Sequence, residues 1–528
     1  MGSNLKSDIK NTHNWQWTTL GDVAEFINGD RGKNYPSSLD RVEKGIPFIN
    51  TGHIEPTGRL SDIRMEYITR EKYDKLGSGK VQPGDIVYCL RGSTIGKTAI
   101  NSYSEGAIAS SLIIIRAKDN ICQGYLYYFL TSPVGQGLAT INDNGSAQPN
   151  LSGRVLASYP LQIPNYQTQV SITKLLSGLD KKIHLNNETN ETLEQMAQAL
   201  FKSWFVDFDP VFDNLLASVD FNLDNLETSL PDELKQKAQR RLAALDSLEN
   251  AAECKASLIA LAHELQAQTQ AAEQVSEKAA ETPVKPDFNA NPNILAQHAN
   301  THAHFPCEFE HNEQLGWIPK CWEKGTFKDI ADGLSGYAFK GKDFSETGFA
   351  VLKIKNITTD RSVVINDVNR VSPEVIDKLQ RFLLNDGDII MAMTGATVGK
   401  FGVLVSEDNE AYYLNQRVCK LTPKMEKGNP FLFSALNQPG VEEGILSAAQ
   451  GSAQPNISAN GILATKLLVP SKKTIEIFNR LLEDIYERKI TLRKECYKLT
   501  KLRDTLLPKL ISGELQIPDV AIDEEVVD

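Results

Sequence analysis

No apolar run in this sequence approaches the roughly 20 residues that a membrane-spanning helix needs. Its first residues carry no apolar signal core either, so the expected setting is cytoplasmic with no membrane partner. Paired cysteines are also missing. Cys89, Cys122, Cys254, Cys307, Cys321, Cys419 and Cys496 are scattered, and no two form a C-x-x-C pair. That excludes a zinc ribbon and a disulfide framework, and it fits a reducing compartment. Excess positive charge is missing too, since the net charge is -11 over 528 residues. At that length the chain needs two to four cores rather than one.

The sequence lacks catalytic signatures as well. Arg91-Gly92-Ser93-Thr94-Ile95-Gly96-Lys97-Thr98 approaches a phosphate-binding loop, but Arg91 stands where the first glycine is required. A second stretch, Gly395-Ala396-Thr397-Val398-Gly399-Lys400-Phe401, has Phe401 in place of the magnesium-binding hydroxyl. Both read as strand–loop–strand turns. Asn429-Pro430-Phe431 lacks the second proline of an adenine-methyltransferase loop. His298, His302, His304, Cys307 and His311 have irregular spacing for zinc and no counterpart elsewhere, so they read as a solvated linker and no metal is expected. Asp85 and Asp388 sit in Gly-Asp-Ile settings that suit turns better than carboxylate catalysis.

What the sequence has is a long internal repeat. Apolar residues seven apart form two rows, Ile172, Leu179, Leu193, Leu200 and Leu176, Ile183, Ala197, Trp204, interrupted by Asn186 and Asn190. The same rows return 306 residues later as Phe478, Ile485, Leu492, Leu499, Leu506 and Leu482, Lys489, Cys496, Arg503, Leu510. Seven-residue spacing keeps a row on one helix face, so two long helices that pair as an antiparallel coiled coil are expected. Ile172, Leu176, Leu179, Ile183, Leu193, Leu200, Phe478, Leu482, Ile485, Leu492, Leu499 and Leu506 are the pairing candidates.

Ahead of each helix the order also repeats. Short apolar runs such as Pro47–Asn50, Asp85–Tyr88 and Ser111–Ile115, punctuated by Gly, Pro, Asn and Asp, predict a β-rich domain. A short helix is expected at Gln123–Thr131. Trp322–Ile330 matches Trp15–Val23, Val351–Ile357 matches Phe48–Ile54, and Gly451–Asn456 matches Gly145–Asn150. The predicted fold is α+β, with two β-rich domains alternating with two long helices in a pseudo-twofold repeat. The expected segments are 15–165 and 317–470 for the β-rich domains and 166–206 and 471–515 for the helices. An insert at 207–316 and an acidic tail at 516–528 complete the division. Within the insert, Pro231–Glu281 predicts one or two amphipathic helices and Thr282–Glu313 a linker with little structure.

Local charge changes the meaning of the total. Asp207–Glu313 holds 19 acidic and 7 basic side chains, and Asp519–Asp528 adds five acids. Setting these aside leaves the repeated body at about +6, which permits a DNA surface without establishing one. The candidate DNA-binding residues lie in paired loops. The Gly-Ser-Ala-Gln-Pro-Asn loops offer Ser146, Gln148, Asn150 and Ser452, Gln454, Asn456, because Gln and Asn can read adenine and Ser can bind phosphate. An equally simple role for an identical loop is to dock each domain on its helix. Positions where the copies differ suit specificity better: Asn50, Thr51, His53 against Lys353, Lys355, Asn356; Arg91, Ser93, Thr94, Lys97 against Thr394, Thr397, Lys400; and Ser110 against Gln416 and Arg417. An ordinary solvated surface is the alternative for each.

Taken together, the paired Gly-Asp-Ile strands, the twin Gly-Ser-Ala-Gln-Pro-Asn loops, Leu200–Phe208 (LFKSWFVDF) and Leu502–Leu515 (LRDTLLPKLISGEL) resemble the specificity subunit of type I restriction–modification systems. The resemblance covers nearly the whole chain except Asp209–Glu313, an insert longer than the family's usual spacer. It implies that each β-rich domain reads one half of an asymmetric bipartite site in double-stranded DNA and that the paired helices set the spacing. It also implies two modification (methyltransferase) subunits as partners and restriction (translocase/endonuclease) subunits joining them. This chain would then be non-catalytic and free of cofactor, with S-adenosylmethionine, ATP and Mg on the partner subunits. Two other classes compete: a restriction enzyme with its own nuclease, against which the missing catalytic site argues, and a coiled-coil scaffold with β-rich ends and no DNA role.

Overall fold

The structure, a computed structural model, describes residues 15–141, 150–226, 230–276, 288, 291–376, 379–407, 410–449 and 455–517. Its chain groups into two units, the first from residues 1–185 with 498–528 and the second from 186–497. Two 40-residue helices, Tyr166–Phe205 and Lys472–Ile511, each lend one end to either unit. No described helix is long and apolar enough to cross a membrane.

In the first unit a four-stranded antiparallel sheet runs in the order 24–28, 112–117, 86–89, 98–100, beside a second sheet ordered 41–42, 66–68, 46–49, 107–108. The tight turn at Gln82–Asp85 follows from sequence. Pro83 presets the second residue, and Gly84 takes φ +85° at the third. Asp85 then accepts from Gln82 N at 2.7 Å and pairs with Arg116 across the sheet, also at 2.7 Å. Asp388 repeats this, accepting from Asn385 N at 2.7 Å and pairing with Lys420 at 2.7 Å. Both carboxylates are turn anchors. The helix Gln123–Thr131 buries Tyr125 through Leu130 against the sheet and against Ile172 and Leu176 of the first long helix. Strand Gln16–Thr19 pairs with Pro160–Ile163 just ahead of that helix.

The second unit repeats the plan. One sheet is ordered 331–335, 418–423, 389–392, 401–403, and the other 344–345, 369–371, 349–352, 412–414, 383–384. Its long-helix core is aromatic. Phe478 lies 5.7, 5.6 and 5.1 Å from the rings of Phe201, Trp204 and Phe205, and 6.0 Å from Phe431.

The heptad rows do not form a continuous dry seam. Ile172 and Leu176 are buried with Leu507, Leu510 and Ile511 in the first unit, and Phe478 and Leu482 are buried in the second, each inside a domain core. Leu492 is buried, whereas Leu179, Ile183, Leu193, Leu200, Ile485, Leu499 and Leu506 are only half-buried. Within each unit polar groups also join the two helices. In the first unit Arg503 binds Asp180 at 2.8 Å, and Tyr128 donates to the same carboxylate at 2.7 Å. In the second, Asn186 donates to Glu495 at 3.0 Å and Lys489 pairs with Glu194. There the partner number falls as the first rises, so the helices run antiparallel. Polar pairs of this kind fix register, at some cost against an apolar seam.

The stretch expected to be a linker with little structure holds short elements. Ala296–Thr301 is helical, and Phe309–Asn312 pairs with Gly316–Pro319. Two longer helices, Asp232–Asp246 and Ala251–Ser276, stand where amphipathic helices were expected. His298 is buried and His302 and His304 are half-buried, whereas His311 is exposed as expected of a solvated linker. His302 Nε2 faces the Asp213 carboxylate at 3.0 Å, and the buried His298 ring lies edge-on to His302 at 5.1 Å. Burial, with help from His302 and against the pull of Asp213, drives His298 down to about 4. A base whose folded pKa is depressed stabilises the fold above its unfolded value near 6.5 and loses that contribution as pH falls towards the folded value. Thermal stability of the second unit should therefore drop between pH 6.5 and about 4, by up to about 3 kcal/mol. His298→Asn should flatten that drop in a pH series of melting curves; an unchanged slope would assign it elsewhere.

Candidate nucleic-acid interface

In each unit the antiparallel pairing brings three loops to one end of the four-stranded sheet. In the first unit Asn28 lies opposite Ile113 and Cys89 opposite Leu112, so the chain leaving strand 24–28, the 90–97 connection and the turn before Leu112 share a rim. Leu90 N donates to Ser111 O at 2.9 Å, and Asn150 bridges to Arg91. Arg91, Ser93, Thr94, Lys97, Ser110 and Asn150 are thus gathered there, with Arg91, Ser93, Lys97 and Asn150 exposed. Asn50 and Thr51 follow strand 46–49, whose last carbonyl accepts from Ala109 N at 2.7 Å.

The second unit builds the same rim. Ser335 lies opposite Cys419 and Ala392 opposite Val418, Met393 N donates to Arg417 O at 3.0 Å, and Asn456 bridges to Thr394. Thr394, Thr397, Lys400, Gln416, Arg417 and Asn456 come together, and Gln416, Arg417 and Asn456 are exposed. Lys353 follows strand 349–352, and Asn415 N donates to the Leu352 carbonyl at 3.2 Å. Its ammonium lies 4.0 Å above the Phe344 ring, and burial together with Lys355 lowers its pKa. Ser146, Gln148, Ser452 and Gln454 lie outside the described residues.

Two candidates are corrected. His53 is 4 % exposed, its Nδ1 accepting from Asn50 N at 3.1 Å and its Nε2 facing Arg64 O at 3.1 Å. Asn356 is 1 % exposed and donates to Val364 O and Asp367 O at 3.0 and 2.9 Å while accepting from Lys353 N. These are the same device in both copies, a polar side chain closing a turn, and neither has an atom left for a base. Lys355 stays exposed and pairs with Asp367 at 2.9 Å.

Sequence reasoning missed the place at this rim of Arg31, which is exposed, and of Tyr337, whose half-buried ring packs on Phe339 and Phe382. Each follows a strand ended by a glycine, Gly29 or Gly336, whose place a side chain could not take. A Cβ on Gly29 would sit 2.8 Å from the Ile108 and Ala109 carbonyls, and one on Gly336 would collide with those of Leu414 and Asn415. The repeated glycine at a strand end was the available signal.

A family model described as the type I restriction modification DNA specificity domain matches residues 12–195 and 319–499. The Type I restriction enzyme HindI specificity subunit of Haemophilus influenzae is 26% identical over 520 residues, covering 94% of this chain and 100% of that protein. The Type I restriction enzyme MjaIX specificity subunit of Methanocaldococcus jannaschii is 22% identical, with 96% and 94% covered. A crystal structure of a type-I restriction-modification S subunit from M. genitalium aligns over 95% of this chain and 97% of its own, at 15% identity and TM-score 0.49. Since the family model takes in both repeats and more than half of its length, the chain belongs to the type I restriction modification DNA specificity domain family.

Proposed function

We propose that this chain is the DNA-specificity subunit of a type I restriction–modification assembly and is itself non-catalytic. Each unit reads one half of a bipartite target, and the two long helices set the number of base pairs between the halves. Two methyltransferase subunits and the translocating restriction subunits supply the chemistry, with S-adenosylmethionine, ATP and Mg bound on those partners. One observation carries this reading: the same three-loop rim occurs in both units on the same backbone, with different side chains exposed on it. Rims alike in backbone and unlike in side chain suit two different half-sites, so the target is asymmetric. A scaffold with no DNA role gives no reason for that pattern.

The test is a genome-wide map of adenine methylation in cells carrying this chain and its methylase partner, compared with cells lacking only this chain. A gapped, asymmetric motif should vanish with the chain. Exchanging residues 15–160 for the corresponding domain of a relative should change one half of the motif and leave the other intact. No chain-dependent methylation mark would sink the proposal.

A further inference from the structure

We infer that the turn Asn415–Val418 is the base-reading element of the second unit, Arg417 taking a guanine and Gln416 a neighbouring adenine, while the corresponding turn of the first unit cannot read a purine in this way. The inference rests on the proposed DNA-specificity function and deepens it to named base contacts.

Both units enter their central strand through a tight turn. Val418 N donates to Asn415 O at 2.9 Å, and Leu112 N donates to Ala109 O at 3.0 Å. The corner residues of the turn are Gln416 and Arg417, both exposed, in one copy and Ser110 and Ser111, both half-buried, in the other. The backbone of the 415–418 turn is held on every side. Asn415 N donates to Leu352 O, Gln416 N to Tyr337 O at 2.8 Å, and Met393 N to Arg417 O, while Asn415 Oδ1 accepts from Arg417 N at 3.4 Å. With these main-chain groups occupied, recognition falls to the side chains.

Those side chains are available. Among the described residues, neither the Gln416 amide nor the Arg417 guanidinium has a hydrogen bond or an ion pair, and both are exposed. Several other arginines of the unit are neutralised, Arg361 by Glu442, Arg370 by Glu410 and Arg493 by Asp360. Arg381, Arg480 and Arg488 are exposed without an ion pair among the described residues but lie away from this turn in sequence. An arginine fork matches guanine O6 and N7, and a glutamine amide matches adenine N6 and N7, both in the major groove. Serine reaches less far and offers a single hydroxyl, so the Ser110–Ser111 turn has no equivalent bidentate contact.

The full-length chain, assembled with its methylase partners, is used to select sequences from a randomised duplex library, and the enriched motif is read. Wild type should return a two-part motif with a guanine next to an adenine in one half. Arg417→Ala should lose discrimination at that guanine alone, by about 10–100-fold, with the other half unchanged. Arg417→Lys keeps the charge but not the rigid fork and should lose less than Arg417→Ala at the same guanine. Gln416→Ala should relax only the adenine. If Arg417→Ala weakens all sequences alike, Arg417 is a phosphate contact and the inference fails. If wild type enriches no motif at all, the specificity reading itself fails, which is a separate result.

Discussion

Phe478→Ala should lower the unfolding free energy of the second unit by about 3–5 kcal/mol. The ring is fully buried, and four other aromatic rings lie within 6.0 Å of it. It stands where the first long helix (Phe201, Trp204, Phe205), the helix Asn429–Leu436 (Phe431) and the second long helix meet. Truncation removes the transfer free energy of the ring and leaves a cavity that rigid neighbours cannot close. The edge-to-face geometry, with interplanar angles of 65–86° to Trp204, Phe205, Phe201 and Phe431, adds a smaller loss. Trp204 lies at 5.6 Å and reports the change. Denaturant titration followed by tryptophan fluorescence should show a clearly lower midpoint, with Phe478→Leu losing less. A shift under about 1 kcal/mol would mean that the cluster repacks.

Asp213→Ala should be nearly as costly, by about 3 kcal/mol or more. The carboxylate is buried and takes a two-point grip from Arg241, Nε at 2.6 Å and Nη2 at 2.7 Å, with His302 at 3.0 Å. Burial pushes its pKa up, but Arg241 and His302 outweigh that and hold it below the ordinary carboxylate range. Removing it strands a guanidinium whose other carboxylate, Asp209, is 3.5 Å away. It also frees His302, whose carbonyl accepts from Asn214 Nδ2 at 2.8 Å. Hydrogen exchange should rise first in Asp232–Asp246 and Ala296–Thr301, which this carboxylate ties to the helix Asp209–Ala217. Protection unchanged in both segments would show that the apolar contacts of Leu234 and Ala238 suffice to hold the insert.

Much of this architecture was legible in the residues because local chemistry decides it. Pro83-Gly84-Asp85 and Asp386-Gly387-Asp388 can only turn, so two separate sites repeat one hairpin entry. The helix Gln123–Thr131 and the long helix from Tyr166 declare themselves by composition and period. The partners of Arg503 and Lys489 were not legible. Asp180 and Glu194 lie beside the heptad rows rather than in them, and only the antiparallel register brings them opposite. His53 and Asn356 look like loop side chains free to bind DNA, yet the turn that each closes is visible only as hydrogen bonds. The six-residue helix at Ala296 has no periodicity to find; it is held by burial of His298 and Ala299. The rim itself was half visible: the unlike pairs could be read from sequence, but their meeting at one sheet end follows from strand pairing.

The grouping of the chain bears on the order in which a ribosome would deliver its parts. The second unit is one uninterrupted stretch, 186–497, set inside the first. Its aromatic core is therefore in hand before Leu507, Leu510 and Ile511 have been synthesised, and those three belong to the core that holds Ile172 and Leu176. The part made first is thus the part completed last. During synthesis its apolar helix face waits uncovered for some 300 residues, which at about 5–20 residues per second is tens of seconds. Nascent chains of this protein are therefore most exposed to aggregation and to chaperone capture at their N-terminal domain, although that domain emerges first.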